Sequence, residues 1–89
     1  MGAYLAQDGS YIQVYCARQE FALRLLQMIS NEVSSMEDLA GEPRFAHQTD
    51  RITYRDALDQ FLGQAFSTKS LQVWVELCEK WSVPGGPVA

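Results

Sequence analysis

A chain of 89 residues, 47% hydrophobic and 20% charged, is long enough for one small globular domain and too apolar to remain disordered. Seven Lys and Arg against eleven Asp and Glu leave a net charge of −4, and the basic residues do not cluster, so the chain should repel both a nucleic-acid backbone and an anionic membrane. No apolar run approaches the roughly 18 residues that span a bilayer.

The opening residues Met1-Gly2-Ala3-Tyr4 lack the basic region of a signal peptide, and the sequence predicts a protein neither exported nor embedded, working in the cytoplasm. Cys16 and Cys78 lie far apart in apolar surroundings, whereas small secreted scaffolds carry several bridged pairs. Both are read as buried thiols.

Between Tyr11 and Val33 the polar residues Gln13, Glu20, Arg24, Gln27 and Asn31 recur at spacings of seven, four, three and four, a narrow stripe on one helical face. Ile12, Val14, Tyr15, Cys16, Phe21, Leu25, Leu26, Met28 and Ile29 fill the remainder. The pattern favours one continuous helix, capped by Ser10 and apolar around most of its girth, with Glu20 and Arg24 as an i,i+4 pair. The alternative is a hairpin: Asp8-Gly9 is a type I′ turn signal between two short apolar stretches, and a helix would then start near Ala17.

Ser34 with Glu37 has the form of a capping box, and Gly41 is a stop, which predicts a short helical turn. Residues 42–52 show no periodicity and read as the longest loop. Thr53 with Asp56 predicts a second capping box at the head of a helix whose face is Tyr54, Ala57, Leu58, Phe61, Leu62 and Ala65. Ser67, Thr68 and Ser70 separate it from a last helix with Leu71, Trp74, Leu77, Cys78 and Trp81 inward and an expected Glu76–Lys80 pair outward. Pro84, Gly85, Gly86 and Pro87 cannot continue that helix.

The expected fold class is therefore mainly α: one long central helix with two shorter amphipathic helices and a short helical turn, a short N-terminal β-hairpin being the alternative beginning. Residues 1–83 make a single helical domain and 84–89 a flexible Pro/Gly tail.

Chemistry is sparse. His47 with Asp50 could pair as acid and base, but a loop histidine is the plainer reading. One His and two isolated Cys lack the close spacing of a zinc site, and no phosphate loop, dinucleotide glycine pattern or nucleophile elbow occurs, so neither metal nor cofactor is expected. The carboxylate pairs Asp56/Asp59 and Glu76/Glu79 read as solvated helix faces. Residues 56–81 have the outline of a helix-turn-helix, with Arg55, Lys69 and Gln72 as its possible readers, but Glu76 and Glu79 would then face phosphates.

What remains is a surplus of apolar surface. It predicts a non-enzymatic regulator or adaptor, such as an inhibitor of a transcription factor or effector, that binds another protein and forms a homodimer. The residues expected at that interface are Tyr11, Tyr15, Phe21, Leu25, Met28, Trp74 and Trp81. Two alternatives stay open: a small ligand-binding or cofactor-free enzyme subunit with a pocket lined by Tyr15, His47 and Trp81, and the DNA-binding module. A monomer whose 43–52 loop, with Phe45 and Ile52, closes the core would remove the need for a dimer.

Overall fold

The structure, a computed structural model, describes residues 2–15 and 18–88. It is mainly helical, with a small three-stranded sheet. The segment read as one long helix is divided. Strands β1 (Ala3–Leu5) and β2 (Tyr11–Val14) form an antiparallel hairpin, with Leu5 opposite Tyr11 and Ala3 opposite Gln13, and helix α1 runs only from Gln19 to Glu32. The reason lies in a period of two: Tyr11 and Tyr15 are exposed, while Ile12 and Val14 are buried. Aromatic and β-branched residues in alternation suit a half-buried strand. Cys16 and Ala17 lie outside the described residues, so the expectation of a Cys16 thiol in the helix is not addressed.

The hairpin turn also differs from the expected type I′. The Gly9 amide donates to the Ala6 carbonyl (3.1 Å), the Ala6 amide to the Ser10 carbonyl (2.8 Å), and Gly9 has φ +84°. A type I′ turn needs positive φ at both central residues, but among the described residues the only non-glycine with positive φ is Ser82. The loop is a type I turn over Gln7 and Asp8 closed by a left-handed glycine. Ser10 sits in this loop, where its amide donates to the Asp8 carboxylate (3.2 Å), and caps no helix.

Helix α1 buries Ala22, Leu25, Leu26, Met28 and Ile29. The expected Glu20–Arg24 pair is absent: Glu20 pairs with Arg18 (3.6 Å), and the Arg24 guanidinium lies over the Phe21 ring. After α1 come 3-10 turns at Ser34–Met36 and Leu39–Gly41, and the first lacks the side-chain cap that Ser34 and Glu37 suggested.

The presumed loop at 42–52 contains a third 3-10 turn, Pro43–Phe45, and a short helix α2 (Gln48–Thr53). Helix α3 follows at Arg55–Phe66. Thr53 does not cap it, because its hydroxyl donates back to the Thr49 carbonyl (3.1 Å) inside α2. Phe45 is fully buried and joins the core, whereas Ile52 is 69% exposed and does not.

Helix α4 spans Leu71–Trp81, with the Ser70 hydroxyl accepting from the Val73 amide (3.5 Å) at its N-terminus. The expected Glu76–Lys80 pair is replaced by Lys80–Glu32 (3.4 Å) and a Gln72–Glu76 hydrogen bond (3.3 Å). At its end Ser82 takes φ 56°, and the Val83 amide returns to the Cys78 carbonyl (2.9 Å). This reversal carries the chain back to the hairpin.

There the segment read as a flexible tail forms a third strand, β3 (Gly85–Pro87), antiparallel to β2 with Val14 opposite Gly85 and Ile12 opposite Pro87. Glycine suits the close approach at position 85, where a Cβ would stand 3.0 Å from the Gln13 carbonyl oxygen and 3.1 Å from Val14 Cγ1, so that a larger residue would need these neighbours to give by a few tenths of an ångström. The helix and the sheet thus share one core, in which Tyr4 stacks on Phe66 (5.2 Å between centroids) and Phe66 meets Trp74 edge-on (4.8 Å).

Candidate functional site

The seven residues expected at a protein interface do not share a surface. Leu25, Met28 and Trp74 have no exposure at all and belong to this chain's own core, where α1 packs against α4 and the Leu39–Gly41 turn. Phe21 and Trp81 are half-buried against that core. Only Tyr11 (54% exposed), the first residue of β2, and Tyr15 (59%), the residue that follows β2, face outward, and neither lies in a helix. The physical cause is the break after Val14, which puts alternate residues of β2 on the outer face while the apolar side of α1 turns inward.

The residues proposed for a ligand pocket are likewise separately engaged. The Tyr15 hydroxyl donates to the Gln13 side chain (2.9 Å), the Trp81 indole donates to Glu32 Oε2 (3.0 Å), and His47 is an exposed residue preceding α2. Of the helix-turn-helix residues, Arg55 pairs with Asp59 (3.9 Å), Gln72 bonds Glu76, and Lys69 lends its carbonyl to the Gln7 amide (2.9 Å). The turn between α3 and α4 holds the hairpin.

Three polar constructions stand out. The first is a buried knot at the head of α1. Arg51 of α2 is 6% exposed; its Nη1 donates to the Phe45 carbonyl (2.9 Å) and its Nη2 to Gln19 Oε1, while Gln19 Nε2 donates to the Ala46 carbonyl (2.7 Å). A planar guanidinium can serve two acceptors at once, so this arginine ties α1 to the chain just before α2. Sequence reading missed it, since nothing local marks one arginine of the 42–52 segment as buried.

The second is a clamp between the ends of α1 and α4. Glu32 accepts from both Trp81 and Lys80, and the indole hydrogen bond first, then the lysine, hold its carboxyl below the ordinary value of 4.5. The third is an open cleft of about 180 Å³ lined by Ser35, Met36, Asp38, Leu39, Glu42 and Phe61. At its edge Glu42 binds Arg44 (3.2 Å), whose side-chain and backbone N–H groups keep the carboxyl below its ordinary value. The Arg44 guanidinium lies over Phe45 and Phe61.

Both shifted carboxyl groups are held as anions that accept hydrogen bonds. Neither is suited to donate a proton near neutral pH. Among the described residues no group of three or more His, Cys, Asp and Glu converges as a metal site would, and no helix is long and apolar enough to cross a membrane.

Over residues 1–89 the chain matches the model of the family described as CoA-transferase family III. A protein of Fusarium pseudograminearum (strain CS3096) named acyl-CoA transferase is 34% identical over 53 residues, which are 60% of this chain and 12% of that protein. The acetyl-CoA:oxalate CoA-transferase of Acetobacter aceti is 29% identical over 85 residues, 96% of this chain and 20% of that protein. The matched stretch thus spans at most a fifth of the length of these curated relatives. These matches overturn the expected non-enzymatic regulator or inhibitor, together with the expectation that the chain has no part in an enzyme. That expectation rests on a surplus of apolar helix, much of which the hairpin and the buried Phe45 remove.

Proposed function

The chain belongs to CoA-transferase family III, and on that premise we propose that it works as a structural unit of an enzyme that moves coenzyme A from an acyl thioester to a free carboxylate. The observation that carries this reading is the family match over the whole of residues 1–89. In such an exchange the donor acyl group trades its C–S bond for a C–O bond while the acceptor carboxylate trades a C–O bond for a C–S bond, so a thioester and a carboxylate stand on both sides, no external energy source is needed, and the protein must position the two acyl groups and exclude water.

Most of the polar side chains described above are spent on shape. Arg51 and Gln19 fasten α2 to α1, Glu32 joins α1 to α4, and Glu42 at the cleft pairs with Arg44. This supports the role of a rigid support over that of a reacting centre. The acceptor class follows the name of the Acetobacter relative, a small dicarboxylate such as oxalate. A cytoplasmic setting is part of the same proposal, supported by a cysteine content of only two in 89 residues.

The test is a chimera in which this chain replaces the matched span of the Acetobacter enzyme, assayed for transfer of CoA from acetyl-CoA to oxalate. Activity within about tenfold of the parent, a difference of about 1.4 kcal/mol in barrier, is expected. A folded chimera with no transfer would count against the reading, and the isolated 89-residue chain is expected to show none.

A further inference from the structure

The three-stranded sheet carries no charged side chain on either face. Its inner face, with Tyr4, Ile12 and Val14, is buried in the core. Its outer face is bare, and a row of three apolar side chains crosses it. Leu5 is opposite Tyr11, and with Ile12 opposite Pro87 the next residue, Val88, stands opposite Tyr11, to whose carbonyl its amide donates (3.2 Å). These three are 47%, 54% and 46% exposed. The adjoining row is Ala3, Gln13 and Gly86, and Tyr15, the residue after β2, is also exposed.

No charged residue lies in either row, although the chain has 18 Asp, Glu, Lys and Arg in all, the seven basic and eleven acidic residues together. An antiparallel sheet with one solvated face ordinarily alternates apolar in and polar out. Uncharged, tyrosine-bearing surface is the composition of an interface centre.

We propose that this face is an interface within a larger CoA-transferase, covered by an apolar, uncharged surface from the part of the polypeptide outside the matched span. The proposal rests on the functional reading above, because the occupant is argued from length. The relatives are matched over only 12% and 20% of their residues, so more than three quarters of each enzyme lies outside this unit and can supply the cover. The absence of charge on the face argues for an apolar neighbour rather than an acidic or basic one.

The test uses the same chimera with a benzophenone photo-crosslinking side chain at position 11 or 15, and a control at exposed Glu76 on α4. Crosslinks from 11 and 15 to residues of the same polypeptide outside the matched span, with none from 76 to those residues, are expected. Crosslinks only between two copies, or none from 11 and 15, overturn the proposal. Transfer activity is read separately: an inactive chimera that still crosslinks in this way keeps the interface and removes the functional reading, while an active one that does not crosslink does the reverse.

Should the chimera not accumulate, the 89-residue chain decides by sedimentation and by binding of an apolar dye. A monomer that binds the dye, with the signal lost in a Leu5→Lys, Tyr11→Lys, Val88→Lys variant that keeps its circular dichroism, supports an exposed interface. A dimer dissociated by those changes shows a second copy to be the occupant, and that result, like a monomer that binds no dye, overturns the proposal.

Discussion

The indole nitrogen of Trp74 donates to the carbonyl oxygen of Phe66 at 3.0 Å, while the two rings meet edge-on with centroids 4.8 Å apart. Phe66 is the last residue of α3, where carbonyls have no partner within the helix, so Trp74 completes a helix end from inside the core.

Replacing it tests that double role. Trp74→Phe keeps an aromatic ring but leaves a buried acceptor without its donor and a gap beside Phe66, and should lower unfolding stability by about 2 kcal/mol in urea titration. An unchanged midpoint would show that water or another amide serves Phe66 equally well.

Arg51→Met should cost about 3 kcal/mol, because it deprives both the Phe45 carbonyl and Gln19 Oε1 of their donor in a buried setting. Arg51→Lys should recover only part of this, since an ammonium lacks the planar fork that reaches two acceptors. Denaturant midpoints of the two variants and the parent, compared at one pH, measure both effects.

Glu32 gives the chain an acid-sensitive joint. Its carboxyl is held below 4.5 by Trp81 and Lys80, so the folded state binds this proton less readily than the unfolded state does. Its contribution is therefore complete above 4.5 and disappears as pH falls through the lowered folded value. Glu32→Gln should be less stable than the parent at pH 7, with the difference shrinking as pH drops below 4.5. A difference independent of pH would disprove an ionic clamp.

Two left-handed residues should respond in opposite ways. Ser82, at φ 56°, ends α4 in a conformation that glycine adopts without strain, so Ser82→Gly should stabilise by up to about 1 kcal/mol. Gly9, at φ +84°, closes the hairpin turn, and Gly9→Ala should destabilise by about 1 kcal/mol although there is open space for its methyl group. Thermal unfolding of the pair distinguishes backbone strain from packing.

Leu26 is 1% exposed, and Leu26→Asp should abolish cooperative unfolding by placing a charge among apolar side chains. A soluble variant with parental near-ultraviolet circular dichroism would show that α1 is packed differently.

Local pattern sufficed for the two C-terminal helices. The inward face read for α4, Leu71, Trp74, Leu77, Cys78 and Trp81, is the face that is buried or half-buried, and α3 buries Leu58, Leu62 and Ala65 as its spacing required, although Tyr54, read as the start of that face, precedes the helix and is exposed. In these segments the 3.6-residue period is unambiguous and each helix is long enough to express it. The same periodicity, with the Asp8-Gly9 turn signal, sufficed for a mainly helical class with a hairpin as its alternative start.

The first 33 residues were harder, because Tyr11 to Val14 satisfies both periods over so short a run. A stretch of four residues distinguishes alternation from a helical stripe poorly, and the decision came from what lay alongside: β3, arriving from residues 85–87 to pair with β2. For the same reason Gly85 and Pro87 read as tail residues until a neighbouring strand supplied their partners. Arg51 and Glu32 joined the candidate sites only through Gln19, Phe45 and Trp81, at separations of 32, 6 and 49 residues. Sequence alone determined where apolar periodicity was strong. Tertiary structure decided the strands and the polar joints, because a strand's hydrogen bonds and a buried charge's partners come from elsewhere in the chain.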